Sequence, residues 1–246
     1  MTAARYDVGG YELSADLTPG EGPLAVFVSG LGDDGTAWNT TIESLSLPTL
    51  TYSRAGIGRS DPLPGNSPRS VAAAADELYR LLTAASATKP YLLIGHSIGA
   101  PIALIHAARH TADVAALVLV DPSDHLMGLE VHNPELELRD GDGDREDHAT
   151  FDVIAGLADT AVSKHPLGIP TTVISSRAGR WLEIEDPVPY LPHTLAAMDT
   201  RWQQAHQRLA DALNATRVVA TKGGHYVQKD DPKLVAQVIR DLCASL

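Results

Sequence analysis

A serine framed by glycines, Gly95-His96-Ser97-Ile98-Gly99, ends the apolar run Tyr91-Leu92-Leu93-Ile94 and opens an alanine-rich helical pattern from Ala100 to Arg109. A strand that reverses sharply into a helix forces its turn residue into a strained backbone, and glycines on either side leave room for the close approach. The serine oxygen then stands at the carboxyl end of a sheet, beside a helix N-terminus whose free N–H groups stabilise negative charge. Nucleophilic acyl transfer needs this arrangement, and it needs a base. Among ten histidines, His225 lies in Lys222-Gly223-Gly224-His225-Tyr226, between the last apolar strand pattern and the final helix. Its loop is expected to open on the same sheet edge as Ser97.

The base in turn needs a carboxylate that holds its imidazole in one tautomer. Asp121 closes the run Val118-Leu119-Val120-Asp121-Pro122 and emerges at that edge, although an Asp before proline is also an ordinary turn residue. Asp124 is a nearby substitute. After the strand pattern Thr171-Thr172-Val173-Ile174, the segment from Ser175 to Arg180 offers no carboxylate, and Glu183, Glu185 and Asp186 come later. A tetrahedral oxyanion calls for two backbone donors. The expected ones are the N–H of Ile98, directly after the nucleophile, and the N–H of Leu31 in the loop Gly30-Leu31-Gly32.

The elements that must position these residues alternate along the chain. Tyr11 to Leu17 reads as a half-buried strand and Leu24-Ala25-Val26-Phe27-Val28 as a fully buried one, followed by the glycine-rich loop and a helix from about Thr36. Leu50-Thr51-Tyr52 predicts a short strand, and Ser70 to Ala85 an amphipathic helix with Val71, Leu78, Leu81 and Leu82 on one stripe. The serine strand and helix come next, then a strand over Val114 to Val120. Further strands follow at Thr171–Ile174 and Arg217–Ala220, with helices over about Asp199 to Leu213 and Pro232 to Leu242. Strands without polar alternation, separated by helices, predict an α/β fold with a mostly parallel sheet covered on both faces. Ligands of such sheets bind at the carboxyl ends of the strands, where these loops gather.

At 246 residues the chain suits one domain with a sizeable core. Its opening residues, Met1 to Asp7, are polar, so neither a secretory signal nor a membrane span is expected, and a cytoplasmic location is the default. The lone Cys243 excludes an intrachain disulfide and a cysteine-based zinc site. A formal net charge of −12 argues against nucleic acid, anionic membranes and highly anionic substrates. Most of that charge falls between Pro122 and Gly168, where eleven Asp or Glu face three Arg or Lys. The stretch Asp140 to Asp147 imitates the start of a calcium loop. However, Arg145 stands at the position that needs glycine and Phe151 at the one that needs a bidentate glutamate, so a solvated loop is expected there and no metal.

The chain resembles an α/β-hydrolase over nearly its whole length. Besides Gly-His-Ser-Ile-Gly, the run from Tyr52 to Asp61, Tyr-Ser-Arg-Ala-Gly-Ile-Gly-Arg-Ser-Asp, is similar to that family's loop after the fourth strand, and Gly224-His225 matches its catalytic histidine. The order Ser97, Asp121, His225 agrees with the family's order of nucleophile, acid and base. The oxyanion loop opens here with Ser29-Gly30 where the family has His-Gly; the donor is a backbone group in either case. Most members carry the acid after the seventh strand, but a minority, pancreatic-type lipases among them, carry it after the sixth in an Asp-Pro context like Asp121-Pro122.

The resemblance implies an eight-stranded, mostly parallel sheet, with a core of residues 1–121 and 169–246 and a short helical cap at 122–168 inserted after strand six. Trp38, Ile57, Leu126 and Met127 are then expected to line a pocket for a modest acyl or cyclic substrate, neutral or cationic at its entrance. The implied activity is cofactor-independent hydrolysis of an ester, lactone or thioester. The same fold also hosts lyases, cyclases and ligand-binding pseudoenzymes. Nothing in the sequence sets the oligomeric state.

Overall fold

The computed structural model describes residues 2–65, 69–123, 145–146, 149–150, 165–185 and 193–246. Eight strands form one sheet: β1 (Thr2–Asp7), β2 (Glu12–Thr18), β3 (Leu24–Val28), β4 (Thr49–Tyr52), β5 (Tyr91–His96), β6 (Val114–Val120), β7 (Thr171–Ser175) and β8 (Thr216–Val219). Their spatial order is β1-β2-β4-β3-β5-β6-β7-β8. β1 and β2 form an antiparallel hairpin, β2 joins β4 antiparallel, and all pairs from β4 to β8 are parallel. Among the described residues the α-helices are α1 (Asn39–Ile42), α2 (Val71–Ala84), α3 (Gly99–Arg109), α4 (Leu195–Leu213), α5 (Val227–Asp230) and α6 (Pro232–Ala244).

The continuous apolar strands follow from covering on both faces. Val26 and Val28 of β3, Leu93 of β5, and Leu117 and Leu119 of β6 point into a core closed by α2 and α3. Their alternates Ala25, Phe27, Leu92, Ile94, Val118 and Val120 point into a second core closed by Trp38, Val227 and α6. With helices on both faces, no strand position between them can be polar without losing its water, so alternation disappears. The arrangement leaves the carboxyl ends of β3 to β8 as the shared edge at which loops meet.

Four details differ from the sequence reading. The polar N-terminal segment forms β1, whose six residues all pair with β2. The helix expected from Thr36 is a single 3₁₀ turn, Gly35–Trp38, capped by the Asp34 carboxylate and continued by the one-turn α1. Helix α4 starts at Leu195, four residues early, because Thr194 caps it by accepting from the Ala197 N–H at 3.1 Å. Arg145–Glu146 pairs antiparallel with Ala149–Thr150, a two-residue ladder where a solvated loop is expected. Among the described residues no helix is long and apolar enough to cross a membrane.

Candidate active site

Ser97 sits at φ +52° between β5 and α3, a left-handed conformation that a side-chain-bearing residue adopts at a cost of about 1–3 kcal/mol. The turn closes only because its flanks are glycine. A Cβ on Gly95 would lie 2.3 Å from the Gly99 carbonyl oxygen, and one on Gly99 would lie 2.2 Å from that of Val28 and 2.5 Å from that of Ser29. The second contact matters for chemistry as well as for packing, since it presses the serine turn directly against the backbone that follows β3.

The Ser97 hydroxyl donates to His225 Nε2 at 2.9 Å, and His225 Nδ1 donates to Asp121 Oδ2 at 2.7 Å. These three residues come from the ends of β5, β6 and the segment after β8. The histidine loop is tied down by the Gly224 N–H, which donates to Asp230 Oδ2 at 2.8 Å. Behind it, His96 is buried and donates from Nε2 to the His225 carbonyl at 2.9 Å. Burial, with His225 close by, pushes the His96 imidazole down to about 3, so it stays neutral and keeps this bond over the working pH range.

Asp121 is fully buried and also holds a positive φ, +41°. Its Oδ1 accepts the Ser176 N–H at 2.7 Å and the Trp202 indole N–H at 2.9 Å, leaving Oδ2 for His225. Arg180 Nε lies 3.7 Å from Oδ2, with its guanidinium over the rings of Trp181 and Trp202. His206 Nδ1 lies 3.7 Å from Oδ1 and its Nε2 donates to the Pro122 carbonyl at 2.9 Å. Burial pushes the Asp121 carboxyl up. The hydrogen bond from His225, with His206 and Arg180 alongside, outweighs that and holds it well below the usual carboxylate range. The loop after β7, which has no carboxylate, thus supplies a backbone donor and a cation to the acid that stands after β6.

The Leu31 loop faces the serine turn across the Gly99 contact. On its other side a Cβ on Gly30 would meet His96 Nδ1 at 2.7 Å. Among the described residues neither the Leu31 N–H nor the Ile98 N–H donates a hydrogen bond. Ser123 adds a group absent from the sequence reading. Its hydroxyl is 3.2 Å from Ser97 Oγ and its N–H donates to the Ser97 carbonyl at 3.1 Å.

The structure therefore brings Ser97, His225 and Asp121 together and sets Leu31 and Ile98 beside the same turn. Trp38 is a correction. It is fully buried, packed on Phe27 and edge-on to His96, because its 3₁₀ turn lies against the sheet; it supports the site from behind and lines no substrate space. Ile57 retains about 9% of its surface, in a turn closed by its N–H on the Arg54 carbonyl. Leu126, Met127 and Asp124 lie outside the described residues. Ser176, Arg180, Trp202 and His206 have no mark of their own in the sequence, because partners recruited from distant segments carry no spacing. The missing carboxylate after β7 was their one visible sign. Among the described residues no group of three or more His, Cys, Asp or Glu is placed to hold a metal.

The fold of this eight-stranded sheet is shared with known proteins. Residues 25–238 match the alpha/beta hydrolase family, and the chain belongs to that family. Protein YqjL of Bacillus subtilis (strain 168) is 28% identical over 235 residues, which cover 91% of this chain and 85% of that one. A thermophilic esterase from Thermogutta terrifontis shares the fold at a TM-score of 0.65 and 20% identity, over 100% of this chain and 99% of its own. An AqdC variant that recognises the Pseudomonas quinolone signal and cleaves its ring shares it at a TM-score of 0.69 and 17% identity, over 100% of both chains.

Proposed function

We propose that this protein is a serine hydrolase that cleaves a carboxylic ester, lactone or thioester without a cofactor. The observation that carries the reading is the unbroken line from Ser97 Oγ through His225 to the buried Asp121, at 2.9 and 2.7 Å. An ionised Asp121 can only accept, so the imidazole proton resides on Nδ1 and Nε2 is free to take the Ser97 proton. Ser97 attacks the carbonyl carbon as His225 removes its proton, and the Leu31 and Ile98 N–H groups hold the oxyanion. The intermediate collapses as His225 Nε2 protonates the departing alkoxide or thiolate, which leaves as alcohol or thiol. Water then attacks the acyl-serine, giving its proton to His225, and the acid is released as that proton returns to Ser97 Oγ.

Residues 122–168 stand in sequence between Asp121 and β7, both of which serve the site, and we assign to them the choice of substrate. Leu126 and Met127 are their candidates for substrate contact, together with Ile57 from the core. The test is a turnover panel of p-nitrophenyl esters of increasing chain length, acyl thioesters and lactones, run on wild type and Ser97→Ala. Hydrolysis of at least one class, lost in Ser97→Ala, is expected. Tight binding of a panel compound without turnover would instead place the protein among ligand-binding members of the fold.

A further inference from the structure

The loop that carries Leu31 is held from below by a buried cation. Arg54, just past β4 and about 1% exposed, donates from Nη1 to the Ser29 carbonyl and from Nη2 to the Gly30 carbonyl, both at 2.6 Å. The Gly30 carbonyl also accepts the Asp33 N–H at 3.2 Å. In a trans peptide the C=O and the following N–H point in opposite directions. Fixing the Gly30 oxygen on Arg54 therefore fixes the Leu31 N–H on the far side of the same peptide plane. The Gly99 contact and the His96 ring locate the serine turn and the histidine loop on the other walls of this loop.

We infer that Arg54 is a positioning residue of the oxyanion site: its guanidinium fork sets the direction of the Leu31 N–H and strengthens it as a donor. The inference rests on the hydrolase reading given under Proposed function. Direction follows from bidentate geometry, since a planar fork spans two successive carbonyls where a lysine ammonium, a single point, grips them less rigidly. Strength follows from polarisation, because a carbonyl bonded to a cation withdraws electron density through its amide and makes the N–H a better donor. Both effects grow as charge develops on the substrate oxygen, so Arg54 acts on the transition state far more than on bound substrate.

The experiment compares wild type with Arg54→Lys, Arg54→Met, Leu31→Pro (which deletes the N–H) and the Leu31→Pro/Arg54→Lys double variant. Each is assayed for kcat and KM on a p-nitrophenyl ester and for the second-order rate of fluorophosphonate labelling, with kcat followed from pH 5 to 9. All assays run below the lowest melting temperature of the set. Losing one oxyanion donor typically lowers kcat ~10²–10³-fold. Arg54→Met is expected to fall by about 10² and Arg54→Lys by about tenfold, with KM within twofold and the pH midpoint of kcat unmoved, because His225 and Asp121 are untouched. In the Leu31→Pro background, where the donor is already gone, Arg54→Lys should change kcat less than twofold. Unchanged kcat in both Arg54 variants, or a tenfold loss that persists without the Leu31 N–H, overturns the inference. A wild type that neither labels nor turns over any ester removes the hydrolase reading together with it. A wild type that labels at Ser97, with Arg54 variants of equal rate, removes this inference alone.

Discussion

Replacing Asp121 by asparagine should inactivate the enzyme through its neighbour's tautomer, and the buried contacts specify how. The carboxylate accepts from three donors: Ser176 N–H and Trp202 Nε1–H on Oδ1, and His225 Nδ1–H on Oδ2. Asparagine offers one acceptor oxygen and one NH₂ donor. With its oxygen at the Oδ1 place it keeps two of the bonds, whereas the flipped amide would face two buried N–H groups with a donor, each left unsatisfied at about 1–3 kcal/mol. The first orientation wins by at least about 2 kcal/mol, and its NH₂ then points at His225 Nδ1. The imidazole responds by carrying its proton on Nε2, aimed at Ser97, where it can no longer take a proton. A change of this kind in a Ser-His-Asp site lowers kcat ~10⁴-fold, or about 5.4 kcal/mol in the barrier. Initial rates on a p-nitrophenyl ester, with circular dichroism to verify the fold, read this directly. A folded Asp121→Asn variant within tenfold of wild type would refute the reasoning.

Three further outcomes follow from the same contacts. Because the Ser97 hydroxyl is committed to His225, the Ser123 hydroxyl must donate to Ser97 Oγ at 3.2 Å. Ser123→Ala should lower kcat roughly 3–10-fold with KM held, the value of one neutral hydrogen bond, and an unchanged kcat would assign Ser123 no part in the reaction. Trp202→Phe keeps the ring contact with Arg180 but deletes a charge-assisted bond to Asp121, so urea unfolding should show a loss of about 1.5–3 kcal/mol, with kcat changed less than tenfold. Stability should also fall on mild acidification. Burial, with neighbouring histidines, pushes His96 to about 3 and His106 to about 4, so between pH 7 and pH 5 the unfolded chain takes up protons at these sites that the folded chain refuses. Stability is therefore fully present above the unfolded value near 6.5 and is lost as pH falls toward the folded values. The loss is roughly 2 kcal/mol for each histidine from pH 7 to 5, ~4 kcal/mol together. A urea-derived stability that is flat over that interval would contradict it.

The parts of the fold visible in the sequence were those whose burial is uniform. β3, β6 and β5 as far as Ile94 are covered on both faces, so their positions are apolar and the runs stand out; β1, a polar strand paired on one side only, does not. Helix starts fixed by a cap rather than by an apolar stripe were displaced, as Thr194 shows for α4. In the site, Ser97 and His225 were readable because glycines mark where the backbone must bend or approach closely. Asp121 was readable because it ends a buried strand before a proline. Arg54 stands in a run marked by its glycines, and the two carbonyl oxygens that it grips leave no trace in residue type. Trp38 shows the converse: an aromatic next to a functional loop faced the sheet because its short 3₁₀ turn buries that side.

The central claim is that Ser97 is a nucleophile activated by His225. It is tested most directly by treating the protein with a fluorophosphonate and mapping the adduct by peptide mass spectrometry. The account predicts a single adduct on the peptide carrying Gly95 to Gly99, located at Ser97, absent in Ser97→Ala and formed at least 10²-fold more slowly in His225→Ala. An adduct elsewhere, no adduct in the folded wild type, or an undiminished rate in His225→Ala would contradict it.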